Sequence, residues 1–108
     1  MTGGLTGRVA LLTGASGGIG KAIARRLADE GAHLCLSYGR NADDAEEVAA
    51  YARERGRRVT VIAADLSDPQ APGALVAHAQ AQLGRVDVLV ANAGTADIKG
   101  WQKIDLAS

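Results

Sequence analysis

Aromatic residues are almost missing from this sequence, which contains no phenylalanine, one tryptophan and two tyrosines. Its apolar side chains are mainly those of Ala, Val, Leu and Ile, as expected for the layers of an α/β protein. Cys35 is the single cysteine, so an internal disulfide is excluded and a reducing compartment is expected. With 108 residues, the chain is long enough for one domain with a modest core.

The chain also lacks an excess of charge and any long apolar run. Twelve Lys and Arg residues balance twelve Asp and Glu residues, so neither a nucleic-acid nor a membrane-surface partner is indicated. No apolar run approaches the ~20 residues that a membrane-spanning helix needs. The amino terminus has no basic segment followed by an apolar one, so no signal peptide is indicated. We therefore expect a soluble, cytoplasmic protein.

Short apolar runs alternate with helical patterns along the chain. We predict strands over residues 9–13, 33–37, 59–64 and 86–91, and helices over residues 18–30, 42–55 and 69–83. Asn41 is predicted to cap the second helix, and Asp68 to cap the third with Pro69 at its first position. Strands that alternate with helices predict a parallel sheet with right-handed crossovers.

A glycine-rich segment, residues 14–20 (the glycine loop), stands between the first predicted strand and the first predicted helix. The N–H groups at a helix N-terminus lack intrahelical partners, and the helix dipole favours negative charge there. Glycine lets a phosphate approach the backbone more closely than a Cβ would allow. The helix continues with apolar residues at helical spacing, Ile19, Ile23 and Leu27. The loop therefore predicts a nucleotide phosphate site.

Glycines or polar residues follow each of the four predicted strands. They are the glycine loop, residues 37–40, Asp65 with Leu66, and residues 92–94. In an open parallel sheet, ligands bind outside the carboxyl ends of the strands. Four signals at one edge predict a dinucleotide cleft.

The loop has the spacing G-x-x-x-G-x-G at Gly14, Gly18 and Gly20. With Asp65-Leu66 and Asn92-Ala93-Gly94, it resembles the short-chain dehydrogenase/reductase family, above all its 3-oxoacyl-carrier-protein reductase-like branch. The resemblance runs from Arg8 to about Leu106. It implies a three-layer Rossmann-type α/β fold with strand order 3-2-1-4. It also implies NAD or NADP as cofactor and hydride transfer between the nicotinamide and a carbonyl or alcohol carbon.

The resemblance implies three groups of cofactor-binding residues. Those around the pyrophosphate and adenosine ribose would be Gly14, Ser16, Gly18, Ile19 and Gly20. Those at the adenine would be Asp65 and Leu66. Those on the nicotinamide side would be Asn92, Ala93 and Gly94. The alternative is structural: the glycines serve turn geometry and helix–sheet packing, and Asp65 caps the turn before the third helix.

The residues after the second strand bear on the choice of cofactor. An acidic residue about 20 positions beyond the loop normally binds the ribose 2′-hydroxyl of NAD. This chain has no carboxylate at Ser37-Tyr38-Gly39-Arg40. Arg40 is suited to a 2′-phosphate, and Ser37 and Asn41 could add hydrogen bonds. NADP is therefore favoured over NAD, although many NADP-using relatives have an arginine where this chain has Gly17. The alternative for Arg40 is a solvated charge.

The resemblance to this family implies catalysis by a proton relay through a Tyr-x-x-x-Lys pair, together with a serine and an asparagine. This chain has no Tyr-x-x-x-Lys pair. Tyr51 and Arg55 repeat the spacing, and we interpret them as a surface pair. His33 and His78 have no metal-ligand neighbours, so no metal site is expected.

We expect residues 1–108 to be one partial NAD(P)-binding domain whose catalytic half is absent, inactive alone. The full-length parent would act on a small carbonyl or alcohol substrate as a homodimer or homotetramer. Two alternatives remain open: a non-catalytic nucleotide-binding module, and a half-domain that self-associates through the edge of its third or fourth strand.

Overall fold

A computed structural model of the protein describes residues 4–15, 17–65 and 67–91. Strands and helices alternate along these residues, in the order β1 (Val9–Thr13), α1 (Gly17–Asp29), β2 (His33–Tyr38), α2 (Ala42–Glu54), β3 (Val59–Ala63), α3 (Ala71–Leu83) and β4 (Val88–Ala91). The four strands of this part of the chain form one parallel sheet in the order β3-β2-β1-β4. The predicted fold class and strand order are therefore confirmed.

The core lies on both faces of the central strand β1. Ala10 and Leu12 point into a cluster formed with α1 and α2, whereas Val9 and Leu11 point into a cluster formed with α3. All five residues of β1 are buried. Such a continuous apolar strand is typical of a parallel sheet covered by helices on both faces. The result is a three-layer arrangement that fixes the carboxyl end of β1.

The helices α1 and α2 pack side by side on one face of the sheet. Their contact is lined by alanines, and Ala24, Ala45 and Ala49 are fully buried. Tyr51 is also part of this contact, since its hydroxyl donates to Asp29 Oδ1 at 2.9 Å. The Arg55 guanidinium also lies 3.5 Å from the centre of the Tyr51 ring, so the two residues form a partly exposed pair as interpreted, and Tyr51 in addition links α2 to α1.

The predicted start of the third helix was wrong. Asp68 Oδ1 accepts from the Gln70 N–H at 2.9 Å, which makes a turn before the helix rather than a cap on it. α3 begins at Ala71, and Pro72 lies in its first turn, where a missing N–H costs little. β4 likewise begins at Val88 rather than at Val86, because Asp87 bonds to Val9 with both its N–H and its carboxylate.

Basic residues gather at the edge of the sheet where β1 and β2 begin. Arg57 Nε donates to the Ala28 carbonyl at 2.9 Å, and Arg58 Nη2 donates to the Gln82 carbonyl at 2.7 Å. Both carbonyls belong to the last turns of helices, where partners for them are scarce and cations are favoured. These arginines therefore stabilise helix ends. No helix in the described part of the chain is long and apolar enough to cross a membrane.

Candidate nucleotide-binding site

The carboxyl ends of the strands meet at one edge of the sheet, opposite the basic edge. Thr13 pairs with Ala91 and Tyr38 pairs with Ala63, so all four strands end at nearly the same level. Three of the four predicted signals lie at this edge: the glycine loop, residues 39–40 and Asp65. The fourth, Asn92-Ala93-Gly94, lies outside the described residues, and so do Ser16 and Leu66.

The glycine loop begins directly after β1 with a residue in the left-handed conformation that favours glycine. Its start then packs against Gly20 in the first turn of α1. Gly14 has φ of 68°. A Cβ on Gly20 would overlap the Gly14 carbonyl oxygen and lie 3.0 Å from the carbonyl carbon of Ala15. Gly20 is therefore required by packing within the protein, which is the structural role that the sequence left open for these glycines.

Gly18 differs from Gly20, because its surroundings are open. Apart from its chain neighbours and the backbone of its own helix, a Cβ on Gly18 would meet no atom of the described residues within 4 Å. Beside it, Ile19 is 72% exposed, and no other large apolar side chain of the described residues is as exposed. An open backbone next to an apolar side chain at a helix N-terminus provides an anion site and an apolar contact for the same ligand.

A carboxylate from α2 also reaches the loop, which sequence reasoning missed. Asp44 Oδ2 accepts from the Gly17 N–H at 3.0 Å, and Lys21 Nζ lies 3.6 Å from Asp44 Oδ1. Lys21 also lies 3.2 Å from Glu47 Oε2. Asp44 lies in the first turn of α2, where the dipole of its own helix already favours an acidic side chain. The signal that could have found it is the opposite charge of Lys21 and Asp44 in the first turns of two adjacent helices.

These contacts keep the Asp44 and Lys21 side chains charged. The hydrogen bond from the Gly17 N–H lowers the pKa of Asp44, and Lys21 adds to the effect. The hydrogen bond to Glu47 and the charge of Asp44 raise the pKa of Lys21. At the N-terminus of α1, Asp44 therefore places a negative charge and Lys21 a positive charge beside the glycine loop.

The segment after β2 presents one cation. Arg40 is exposed, and among the described residues no carboxylate lies within ion-pair distance of it. Asn41 caps α2 as predicted, since its Oδ1 accepts from the Asp44 N–H at 3.3 Å. Ser37 is only 1% exposed, and its carbonyl accepts from the Ala15 N–H. Arg40 is thus available to an anion, whereas Ser37 is placed as a buried strand residue.

Asp65 lies after β3 and is exposed. Its Oδ1 accepts from the Ser67 N–H at 3.0 Å and from the Ser67 hydroxyl at 2.6 Å. The bond from the hydroxyl lowers the pKa of Asp65. Asp65 therefore organises the turn before α3, which is the structural alternative stated above. Neither bond uses Oδ2, so the same carboxylate retains an oxygen that can accept from a ligand.

The described residues do not group into a metal site. In residues 4–15, 17–65 and 67–91, no three His, Cys, Asp or Glu side chains lie close enough together to hold a metal ion. His78 contacts Thr60, with 2.8 Å between Nε2 and Oγ1. The charged and polar groups described at this edge are backbone N–H groups, the Arg40 guanidinium, the Lys21 ammonium and the carboxylates of Asp44 and Asp65.

Comparisons of this chain with known proteins agree on one family. The family model for short chain dehydrogenases matches residues 8–108. The cis-4-hydroxycyclohexanecarboxylate dehydrogenase of Sinomonas cyclohexanicum is 42% identical over 102 residues, which cover 94% of this chain and 40% of that protein. The short-chain dehydrogenase/reductase FrzI of Cladobotryum sp is 42% identical over 93 residues, which cover 86% of this chain and 36% of that protein.

Solved structures agree with the sequence relatives. A short-chain dehydrogenase/reductase from Serratia marcescens superimposes with a TM-score of 0.79 at 44% identity, covering 84% of this chain and 37% of that one. The chain therefore spans well under half the length of the relatives that it matches. Since the family model covers nearly all of its sequence and the sheet order is the expected one, this chain belongs to the short-chain dehydrogenase family.

Proposed function

We propose that this chain is the cofactor-binding part of an NADP(H)-dependent oxidoreductase that transfers hydride between the nicotinamide and a carbonyl or alcohol carbon. Two features at one edge of the sheet carry the proposal. The open backbone at Gly18 follows β1, and the exposed Arg40 guanidinium follows the adjacent strand β2. Family membership supports an NAD(P) cofactor in general terms. When bound, the cofactor supplies or accepts the hydride.

The glycine loop would hold the pyrophosphate. The N-terminus of α1 offers backbone N–H groups and the positive end of a helix dipole, and no side chain at Gly18 fills the space above them. Ile19 would cover an apolar part of the nucleotide. Asp65 would accept from the exocyclic amine of adenine through Oδ2 while Oδ1 stays on Ser67. Ser16, Leu66 and residues 92–94 remain predicted cofactor contacts outside the described residues.

Arg40 is the residue that favours NADP over NAD. A guanidinium without a carboxylate partner can donate two parallel hydrogen bonds to a phosphate, and it gains less from a hydroxyl. Its position just after β2 is where the ribose 2′ substituent is expected in this type of fold. Ser37 is not among the phosphate ligands that we propose, because its side chain is buried in β2.

For the whole protein we propose a small carbonyl or alcohol substrate, a homodimer or homotetramer, and a cytoplasmic location. These proposals follow from the family, whose named relatives are dehydrogenases and reductases. The tyrosine and lysine of the family's proton relay have no counterpart among the motifs of this chain. We therefore assign cofactor binding to these residues, and no catalytic step.

The proposal is tested by titrating the chain with NADPH and with NADH while the nicotinamide fluorescence is recorded. We expect a lower Kd for NADPH, and we expect Arg40→Gln to reduce that preference by about tenfold or more. Arg53→Gln is the matched control, since it removes the same charge from the far end of α2. Equal affinity for the two nucleotides, or an equal effect of the two substitutions, would refute the NADP assignment. Absence of binding would refute the nucleotide site itself.

A further inference from the structure

Two opposite charges stand on either side of the cap of α2. Arg40 precedes the capping residue Asn41, and Asp44 follows it in the first turn. Asp44 is directed to the glycine loop, where it accepts from the Gly17 N–H at 3.0 Å. An acidic side chain from the first turn of α2 therefore reaches the glycine loop, although residues 37–40 contain no carboxylate.

We propose that Asp44 is a specificity-determining residue of the nucleotide site, which weakens binding of an adenosine 2′-phosphate relative to a 2′-hydroxyl and so limits the preference created by Arg40. This inference rests on the proposed function, because it concerns the same site. Arg40 and Asp44 then have opposite effects on the binding of the 2′-phosphate. The cofactor preference is then set by the balance between them.

The charge of Asp44 opposes the binding of a second anion at this edge. The Gly17 N–H and Lys21 favour the ionised form of Asp44, so the carboxylate is negative at neutral pH. A 2′-phosphate carries close to two negative charges at that pH, whereas a 2′-hydroxyl carries none. Like charges at the same partly exposed edge repel each other, and the repulsion is weakened by salt.

Asp44 also offsets part of the positive charge of Lys21. Its ammonium lies 3.2 Å from Glu47 Oε2 and 3.6 Å from Asp44 Oδ1, so two carboxylates of α2 share this cation. Removing the charge of Asp44 leaves Lys21 with one anionic partner instead of two. Its positive charge then contributes more to the field at the loop. Both effects of the substitution strengthen the binding of a phosphate.

A purely structural role for Asp44 makes a different prediction. If Asp44 only anchored the loop through Gly17, its loss would weaken all adenosine nucleotides alike. Asp44→Asn separates the two roles, because the amide oxygen can still accept from the Gly17 N–H while the charge is gone. Asp43→Asn is the matched control, since it removes the same charge one residue away, and the Asp43 carboxylate has no hydrogen bond or ion pair with another described residue.

The test is calorimetric titration of the chain with adenosine 2′,5′-bisphosphate and with 5′-AMP, which differ only in the 2′-phosphate. We expect the preference for the bisphosphate to rise about 5- to 20-fold in Asp44→Asn at about 50 mM salt, and to shrink in stronger salt. We expect less than about a twofold change in Asp43→Asn, and the wild-type preference in Asp44→Glu. Asp44→Ser also removes the charge, and it replaces Asp44→Asn if that variant does not fold.

An unchanged preference in Asp44→Asn, or an equal rise in Asp43→Asn, would overturn the inference. So would equal weakening of both nucleotides, since that is the structural role. The proposed function fails separately: in that case the wild-type chain binds neither nucleotide, or its preference is unaffected by Arg40→Gln. A wild type that prefers the bisphosphate through Arg40 but ignores Asp44 would leave the proposed function intact.

Discussion

Gly18 and Gly20 lie two residues apart in one loop, and the structure gives them opposite roles. We expect Gly20→Ala to destabilise the fold while leaving the approach to the phosphate site unobstructed. The added Cβ would overlap the Gly14 carbonyl oxygen and lie 3.0 Å from the carbonyl carbon of Ala15. These are backbone atoms, so a change of rotamer cannot relieve the contact. The loop or the helix must shift instead.

The size of the effect follows from two opposing contributions. Overpacking against backbone costs about 3 kcal/mol, at the upper end of the range for added methylenes. Replacing glycine by alanine within a helix recovers about 1 kcal/mol. The net loss is about 2 kcal/mol in the free energy of unfolding, which corresponds to a fall in Tm of about 10 °C for a domain of this size. Urea and thermal unfolding followed by circular dichroism measure both quantities.

Gly18→Ala is the matched control for this prediction. Its Cβ meets no atom of the described residues within 4 Å outside its own helix, so we expect the free energy of unfolding to stay within about 1 kcal/mol of wild type. The methyl group would occupy the space of the bound phosphate, and we expect NADPH affinity to fall at least tenfold, roughly, with Gly18→Val lower still. If Gly20→Ala unfolds at the wild-type urea midpoint, the assignment of roles is refuted. The same holds if Gly18→Ala binds NADPH normally.

Two further predictions concern the opposite edge of the sheet. Asp87→Ala removes the Oδ2 atom that accepts from the Val9 N–H at 3.0 Å, and leaving that N–H unpaired should cost about 1–3 kcal/mol in urea unfolding, with a smaller loss in Asp87→Asn. Burial, together with Arg58 and Arg57, lowers the pKa of His33, whose Nδ1 accepts from the Arg58 N–H. The unfolded chain then binds the proton more tightly, so Tm should fall as pH drops through about 6.5 toward the lowered value, and His33→Gln should flatten that dependence. An unchanged Tm from pH 7.5 to 5, or the same slope in the variant, would contradict the assignment for His33.

The sequence was sufficient to predict the elements and their order. β1 is an aliphatic run between a charged residue and a glycine, and parallel strands with right-handed crossovers allow few arrangements. The cap of α2 by Asn41 was also predictable, because the residue type and its position before an acidic first turn are local signals. These features depend on residues that are near one another in the chain.

The details of the site depend on contacts that local patterns do not contain. Ile19 continues a helical apolar pattern with Ile23, yet it is 72% exposed, and the spacing of apolar residues alone does not reveal this. Asp68 could have capped α3, but its side chain accepts from the N–H of Gln70, two residues ahead, and not from an N–H three residues ahead. Asp44 lies 27 residues from Gly17, and only the packing of α1 against α2 brings them together.

Binding of the nucleotide at the edge formed by the glycine loop and Arg40 can be tested by titrating the ¹⁵N-labelled chain with NADPH and following the amide chemical shifts. We expect the largest changes at Gly17, Gly18, Ile19 and Arg40, while amides of the opposite edge, such as those of Arg58 and Asp87, stay unchanged. Changes centred on the opposite edge, or no changes at saturating NADPH, would contradict it.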